Sequence, residues 1–237
     1  VSEHSHFDAE HAIRGGVPII FPQFNRRGDG MRHGFARLAQ WRPMSPVEGE
    51  GSAVMRYKLT QADTARFKWD QPFTAVYEVA IDDRELSLSL TIGNPSEQSW
   101  QFTAALHAYL RVSTIGAVRL SGLRDTSYTN FAQDGATGVQ QQEILDDVES
   151  VDYIFADVRE PIGVHDNERL VFSSQRGFRD AVVWNPGAEL AATISDLAPG
   201  SHSAFLCVEA AAVEQPVVLR PQQSWTGVQR LTVGGKP

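Results

Sequence analysis

The chain has 237 residues, of which 42% are hydrophobic, and its formal net charge is −8. The hydrophobic content is enough for a sizeable core and argues against disorder. The negative charge disfavours a nucleic-acid partner, because the overall field would repel a polyanion. No apolar run approaches the roughly 18 residues that a membrane helix needs, and no signal peptide is visible, so we expect a cytoplasmic protein with no membrane partner.

The N-terminal histidines raise the question of a metal. His4, His6 and Glu10 have the spacing of a cupin-type site, in which two histidines and a carboxylate bind a divalent metal. The second half of that motif should follow, but the segment 199–202, Pro-Gly-Ser-His, does not fit it. We therefore expect no metal site, and keep a cupin-like metal enzyme as an alternative.

Two short motifs combine a histidine with cations. Arg14 begins Arg-Gly-Gly-Val-Pro, and His33 begins His-Gly-Phe-Ala-Arg, which ends at Arg37. A histidine and an arginine four residues apart suit a substrate with a hydroxyl to deprotonate and an anionic group to hold. Residues 25–42 contain five arginines and one acid. This local cationic patch in an acidic protein favours a small anion as ligand.

The periodicity is that of β-strands separated by turns. Residues 86–92 alternate leucine or isoleucine with serine or threonine, and Asp82-Asp83-Arg84 before them predicts a hairpin turn. Residues 143–150 could give one or two helical turns, and no long amphipathic helix is predicted. The predicted strands are Ser52–Thr60, Phe73–Ile81, Leu86–Ile92, Gln101–Val112, Arg169–Ser174, Ala181–Trp184, Ala204–Ala210, Val217–Leu219 and Ser224–Val233. The pattern predicts one all-β antiparallel sandwich domain.

Strand alternation assigns side chains to faces. His107 shares a mixed, polar-leaning face with Thr103 and Ala105, as a cleft requires. Glu209 stands in an apolar run, where burial raises the pKa of a carboxylate toward the range useful for a general base. Asp152 starts an apolar strand, unlike the acids of 146–149 before it. The single cysteine, Cys207, also lies in an apolar run and predicts a buried, inert thiol.

Five ordered motifs resemble one family. They are the segments Arg14–Pro22, His33–Arg37, Leu106–Tyr109, Val182–Gly187 and Cys207–Ala210. Together they resemble the glucose-6-phosphate 1-epimerase (hexose-6-phosphate mutarotase) branch of the aldose 1-epimerase family. Members of that family carry further strands before the Arg-Gly-Gly motif, so we expect residues 1–237 to be one domain that lacks N-terminal residues. The loop 23–30 departs from the family pattern, so alanine substitutions at Arg26, Arg27 and Arg32 are expected to matter little.

The resemblance implies a large antiparallel β-sandwich, with no metal, nucleotide or other cofactor, that interconverts the α and β anomers of a sugar phosphate. It implies Glu209 as base at the C1 hydroxyl, His107 as acid at the ring oxygen, and His33 sharing the proton transfer. It also implies that Asp152 and Asn185 hold sugar hydroxyls, and that Arg14 and Arg37 line the phosphate pocket. We expect a monomer whose partner is a small sugar phosphate. A non-catalytic carbohydrate-binding protein on the same fold is the second alternative.

Overall fold

The chain folds almost entirely into β-strands. The computed structural model describes residues 1–8, 10–49, 51–167 and 169–234, with the backbone alone at 47–49. The strands described there are β1 (Ile19–Ile20), β2 (Arg42–Pro43), β3 (Val47–Gly49), β4 (Ser52–Thr60), β5 (Thr74–Ile81), β6 (Glu85–Gly93), β7 (Trp100–Leu106), β8 (Tyr109–Arg111), β9 (Val118–Ser121), β10 (Ser127–Asn130), β11 (Ala136–Val139), β12 (Ile144–Leu145), β13 (Val151–Phe155), β14 (Ile162–Asp166), β15 (Arg169–Arg176), β16 (Asp180–Asn185), β17 (Phe205–Leu219) and β18 (Ser224–Val233). The helical elements are α1 (Gly187–Ala191) and 3₁₀ turns at Gln61–Phe67, Ile115–Ala117, Phe131–Gln133 and Ser201–Ala204. In this part of the chain, no helix has the length and apolar character needed to cross a membrane.

Two antiparallel sheets form the sandwich. The eight-stranded sheet has the order β1-β7-β17-β16-β13-β10-β11, with β8 also paired to β17. The ten-stranded sheet has the order β12-β9-β14-β15-β18-β6-β5-β4-β2, with β3 paired to β4. The predicted all-β antiparallel sandwich is therefore confirmed.

The core lies between the two sheets. Leu88, Leu90 and Ile92 point inward from β6 and pack with Ala104 and Leu106 of β7. Full burial of each such leucine or isoleucine stabilises the fold by about 1.5–3 kcal/mol. A second cluster joins β9 and β14 of the large sheet to β13, β16 and β17 of the small one. The apolar faces of the two sheets thus pack against each other. The outer face of each sheet is left for solvent or for a binding site.

Several strands in the structure begin or end at other residues than the sequence predicts. The predicted strand Gln101–Val112 is divided into β7 and β8, with His107 and Ala108 between them. The predicted strands 204–210 and 217–219 form one strand, β17, whose register shifts between Ala212 and Val217. The expected helical turns at 143–150 are wrong, because Ile144 and its neighbour pair with the edge of β9 instead. The hairpin at 82–84 is confirmed by the pairing of β5 with β6.

The outer face of the eight-stranded sheet carries the functional side chains. Ile154, Val182 and Glu209 lie in one row across β13, β16 and β17. A small apolar cluster, which includes Ile20 and Ala105, surrounds this row on the outer face. The chain from Phe21 to Arg37 crosses the same face and supplies the opposite wall of a pocket.

Candidate active site

The floor of the pocket is formed by a histidine and a glutamate from neighbouring strands. Leu106 pairs with Ala210 and Tyr109 pairs with Cys207. Because these two pairs share one register, His107 lies directly opposite Glu209. Their side chains point to the same face, and His107 Nδ1 lies 3.1 Å from Glu209 Oε1.

Both floor residues are nearly closed to solvent. The side chain of His107 is 12% exposed and that of Glu209 is 1% exposed. Burial lowers the pKa of His107 well below its ordinary value, and burial with the nearby Asp152 raises the pKa of Glu209. Among the described residues, the buried atoms His107 Nδ1 and Glu209 Oε2 have no hydrogen-bond partner. The pair is held in place, and these two polar atoms remain available to a ligand.

The Arg-Gly-Gly-Val-Pro motif holds the histidine strand in place. The backbone N–H of His107 donates to Pro18 O at 3.0 Å, and that of Tyr109 donates to Gly16 O at 2.9 Å. The Tyr109 ring stacks on the His107 ring with centroids 4.9 Å apart, and Trp184 meets it edge-on at 5.7 Å. The imidazole therefore has one orientation, set by backbone bonds and by two aromatic rings.

The His-Gly-Phe-Ala-Arg motif brings its histidine to the same pocket. Gly34 has φ +64°, and a Cβ at this position would meet Phe21 O at 2.1 Å, so only glycine fits the crossing of these two segments. His33 lies with its ring centroid 6.1 Å from that of His107. The Asn25 N–H donates to His33 Nδ1 at 3.3 Å, which places the proton of the neutral ring on Nε2.

Electrostatics keep His33 in that neutral form. Burial and the neighbouring guanidinium groups lower the pKa of His33 to about 3. A neutral ring with a protonated Nε2 can donate a hydrogen bond to a ligand oxygen without adding charge to the pocket.

Gln23 sets the shape of the loop between these motifs. It is 6% exposed, and its amide accepts from Gly30 N–H at 2.8 Å and donates to Gly30 O at 3.1 Å and to Asn25 O at 3.3 Å. A Cβ at Gly28 or Gly30 would meet Gln23 Oε1 at 2.7 or 2.9 Å. The same Asn25 carries the backbone groups that hold His33, so the loop and the histidine form one unit.

Two arginines from the sequence motifs reach the pocket wall. Arg14 is anchored by Asp196, 2.9 Å from its Nη2, and donates to the Tyr109 hydroxyl at 3.2 Å. Arg37 donates to a backbone oxygen at 3.1 Å, that of Arg32, and its buried Nε has no partner among the described residues. Burial and the positive charges of Arg14 and Arg32 lower the pKa of Arg37 to about 10. An anion placed here would relieve this mutual repulsion.

The loop arginines also lie at the pocket, although alanine substitutions there are expected to matter little. Arg26, Arg27 and Arg32 all line it. Arg27 is tied down, because it donates to Val213 O and to Glu214 Oε1, each at 2.8 Å. Arg32 donates to the Asn25 side chain at 3.1 Å. Neither Arg26 nor Arg32 has a carboxylate partner among the described residues, so with Arg37 they leave the pocket positive.

The pocket is a cavity of about 350 Å³. Six of the seven residues assigned by the family resemblance line it, and Asn185 does not. Sequence reasoning missed its apolar walls, Phe24, Phe131, Ile154, Val182 and Trp184. Val182 and Trp184 could have been found from the sequence, since they alternate with Val183 on a strand that the sequence predicts.

The two residues assigned to sugar hydroxyls have different surroundings. Asp152 lines the pocket, and burial raises its pKa, an effect that Arg32 opposes. Asn185 is 1% exposed and its amide is fully used. It donates to His202 O and Phe205 O, each at 2.8 Å, and accepts from Gly187 N–H at 2.9 Å. It follows Trp184, so strand alternation turns it away from the pocket, and its hydrogen bonds fix the backbone at the end of β16.

The cupin-like alternative has no support in the N-terminal segment. Among the described residues, the group of side chains that could hold a metal is His107, Cys207 and Glu209, without His4, His6 or Glu10. His6 instead lies against the ring of His11, with centroids 4.7 Å apart.

Comparisons with known proteins agree with this fold. Residues 3–232 match the family model described as Aldose 1-epimerase. A protein of Cenchrus ciliaris named "Putative glucose-6-phosphate 1-epimerase" is 32% identical over 231 residues, which cover 93% of this chain and 70% of that protein. A protein of Escherichia coli K12 with the same name is 27% identical, over 89% of this chain and 71% of its own length. The crystal structure of a "putative mutarotase (YeaD)" from Salmonella typhimurium superimposes with a TM-score of 0.91 at 24% identity, covering 100% of this chain and 79% of that chain.

The antiparallel sandwich and the family match place the protein among the mutarotase-type isomerases. The chain belongs to the aldose 1-epimerase family. Its resemblance to the glucose-6-phosphate 1-epimerase branch is confirmed by the named relatives.

Proposed function

We propose that this enzyme interconverts the α and β anomers of a hexose 6-phosphate, with glucose 6-phosphate as the substrate. The observation that carries the proposal is the close pair of His107 and Glu209 on the floor of a pocket with a positive wall. The pair supplies groups for proton transfer, and the wall suits a phosphate monoester. The names of the similar proteins point to the same substrate.

The geometry of the pair suits ring opening at the anomeric carbon. The C1 hydroxyl and the ring oxygen are bonded to the same carbon, so two groups 3.1 Å apart can reach both at once. Glu209, as the carboxylate, takes the proton of the C1 hydroxyl while His107, as the imidazolium, gives a proton to the ring oxygen, so the pair holds one proton throughout. The C1–oxygen bond of the ring breaks, the aldehyde rotates, and the ring closes on the other face with the two roles reversed.

His33 and Asp152 complete the sugar site in this proposal. His33 donates its Nε2–H to a sugar oxygen and shares the proton transfer, which fits its neutral state. Asp152 accepts a hydrogen bond from a ring hydroxyl at the side of the pocket.

The phosphate is held by Arg14 and Arg37, with Arg32 as a third cation from the loop. Asp196 and Tyr109 hold Arg14 before the ligand arrives, which lowers the entropy lost on binding. Binding of the phosphate stabilises the charge of Arg37 more than that of Arg14. Arg37 lacks a carboxylate partner among the described residues, and burial and its cationic neighbours lower its pKa to about 10. A phosphate dianion supplies the missing charge.

Coupled mutarotation assays test the proposal. Freshly dissolved α-glucose 6-phosphate should reach anomeric equilibrium much faster with enzyme than without it, and faster than α-glucose or α-galactose does. Glu209→Gln and His107→Ala should each lower the rate by about 10²–10⁴-fold. Glu78→Gln is the matched control, since it removes an ion-paired carboxylate from the ten-stranded sheet. A Glu209→Gln variant that keeps more than about a third of the wild-type rate would contradict the assignment, given the usual size of acid–base effects.

A further inference from the structure

Cys207 lies beside the catalytic pair, and the proposed mechanism does not use it. Its thiol, the His107 imidazole and the Glu209 carboxylate each offer one ligand atom, and these atoms lie within 4.8 Å of one another. Cys207 is fully buried and Glu209 is 2% exposed. Strand alternation explains the grouping, because Cys207 and Glu209 are two residues apart on β17 and His107 lies across from them.

Two of these three groups have unmet polar atoms. Glu209 Oε2 and His107 Nδ1 are buried and have no hydrogen-bond partner in the described part of the chain. Buried polar atoms are normally paired, so the arrangement favours a ligand that both atoms can bind at once. A cation accepts lone pairs from both, whereas another donor group would satisfy them one at a time.

We propose that His107, Cys207 and Glu209 bind one thiophilic divalent cation, such as Zn²⁺ or Cd²⁺, and that the bound ion keeps sugar out of the pocket. Thiolate, imidazole and carboxylate are the ligand types that proteins use for zinc. The exclusion of sugar rests on the proposed function, because the ion would occupy the two groups assigned to proton transfer.

The charge balance allows a cation despite the arginines nearby. On binding, Cys207 releases its thiol proton and the pair of His107 and Glu209 releases the one proton that it holds, so the ion meets a thiolate, a carboxylate and a neutral imidazole. The divalent ion and its two anionic ligands then have zero net charge. The surrounding guanidinium groups therefore face no added charge, and repulsion does not prevent binding.

Cadmium titration gives a specific readout, because the chain has a single cysteine. A thiolate-to-cadmium charge-transfer band in the ultraviolet spectrum can arise at Cys207 alone. We expect one equivalent of Cd²⁺ to saturate the band in the wild-type protein, and Cys207→Ala to abolish it. Glu209→Gln keeps the thiol but should weaken binding at least about tenfold, because one of three ligands is lost. No band in the wild-type protein would overturn the site.

The N-terminal histidines provide the matched control. His6→Ala combined with His11→Ala removes a pair of rings that could also attract the ion. This variant should keep the full band and the same affinity. If dialysis shows that Cd²⁺ binding depends on His6 and His11 and is unchanged by Cys207→Ala, the ion binds at the N-terminus and the proposal is wrong.

Competition separates this inference from the proposed function. Saturating glucose 6-phosphate should lower the apparent affinity for Cd²⁺ at least about tenfold, and Cd²⁺ should inhibit mutarotation until a chelator is added. A Cd²⁺ band that the sugar does not affect, in an active enzyme, would overturn the exclusion of sugar and leave the proposed function intact. A Cys207-dependent band in a protein without mutarotase activity would contradict the proposed function and leave the metal site intact.

Discussion

Arg37 offers a quantitative test of how the pocket selects a charged substrate. Its guanidinium makes one hydrogen bond to a backbone oxygen and has a buried Nε without a partner in the described residues. A charge-assisted contact to phosphate contributes about 1.5–3 kcal/mol. At about 1.4 kcal/mol per factor of ten, Arg37→Ala should lower kcat/KM for glucose 6-phosphate by about ten- to 150-fold.

The comparison with an uncharged sugar makes the Arg37 test decisive. Turnover of plain glucose, where measurable, should fall less than about threefold in Arg37→Ala, since that substrate does not use the contact. Arg56→Ala is the control, because Arg56 pairs with Glu78 on the ten-stranded sheet, and it should leave both substrates unaffected. Equal losses on both sugars would refute the reasoning and would mean that Arg37 positions His33 or the loop.

Three further predictions concern charge and stability. Asp152→Asn should move the acid limb of the rate profile to lower pH, because burial and then Asp152 raise the pKa of Glu209; an unmoved limb in a pH–kcat/KM series would contradict this coupling. Because the pKa of Glu209 is raised in the folded state, the folded protein still holds this proton at a pH where the unfolded chain has lost it, above about pH 4.3. The free energy of unfolding therefore falls as the pH rises from there toward the pKa of the folded state. Glu209→Gln should therefore lose less melting temperature between pH 5 and pH 8 than the wild type, and an identical loss in thermal scans would argue against it. Asn185→Ala leaves backbone groups unpaired at about 1–3 kcal/mol each, so denaturant unfolding should show a loss of several kcal/mol with KM unchanged; a raised KM at full stability would restore the sugar-binding role.

The alternation of residues along each strand predicts which face a side chain occupies, but it does not predict which strands lie side by side. Counting residues along its strand places His107 on a polar-leaning face, and Glu209 stands out as a carboxylate in an apolar run. That the two strands lie side by side in matching register depends on pairing between residues about 100 positions apart, which local pattern does not encode. The family motifs supplied the pairing that the alternation could not.

The structure departs from the sequence expectations where tertiary contacts decide. Asn185 belongs to a motif that matches the family, yet the alternation from Trp184 already indicates that it points away from the pocket. The helical turns expected at 143–150 do not form, because residues 144 and 145 pair with β9 at the edge of the sheet. This tertiary contact overrides the local helical propensity. The expectation that substitution of Arg32 matters little stays a prediction, although Arg32 lines the pocket and the hydrogen bonds of Gln23 shape its loop.

Exchange between the two anomers of glucose 6-phosphate tests the central claim most directly. Two-dimensional NMR exchange spectroscopy at anomeric equilibrium reports the rate of α-to-β conversion without a coupling enzyme. We expect a catalytic amount of wild-type protein to produce strong exchange cross-peaks, and Glu209→Gln at the same concentration, with an unchanged fold, to produce almost none. Exchange in the wild-type sample no faster than in buffer, or equally fast with Glu209→Gln, would contradict the account.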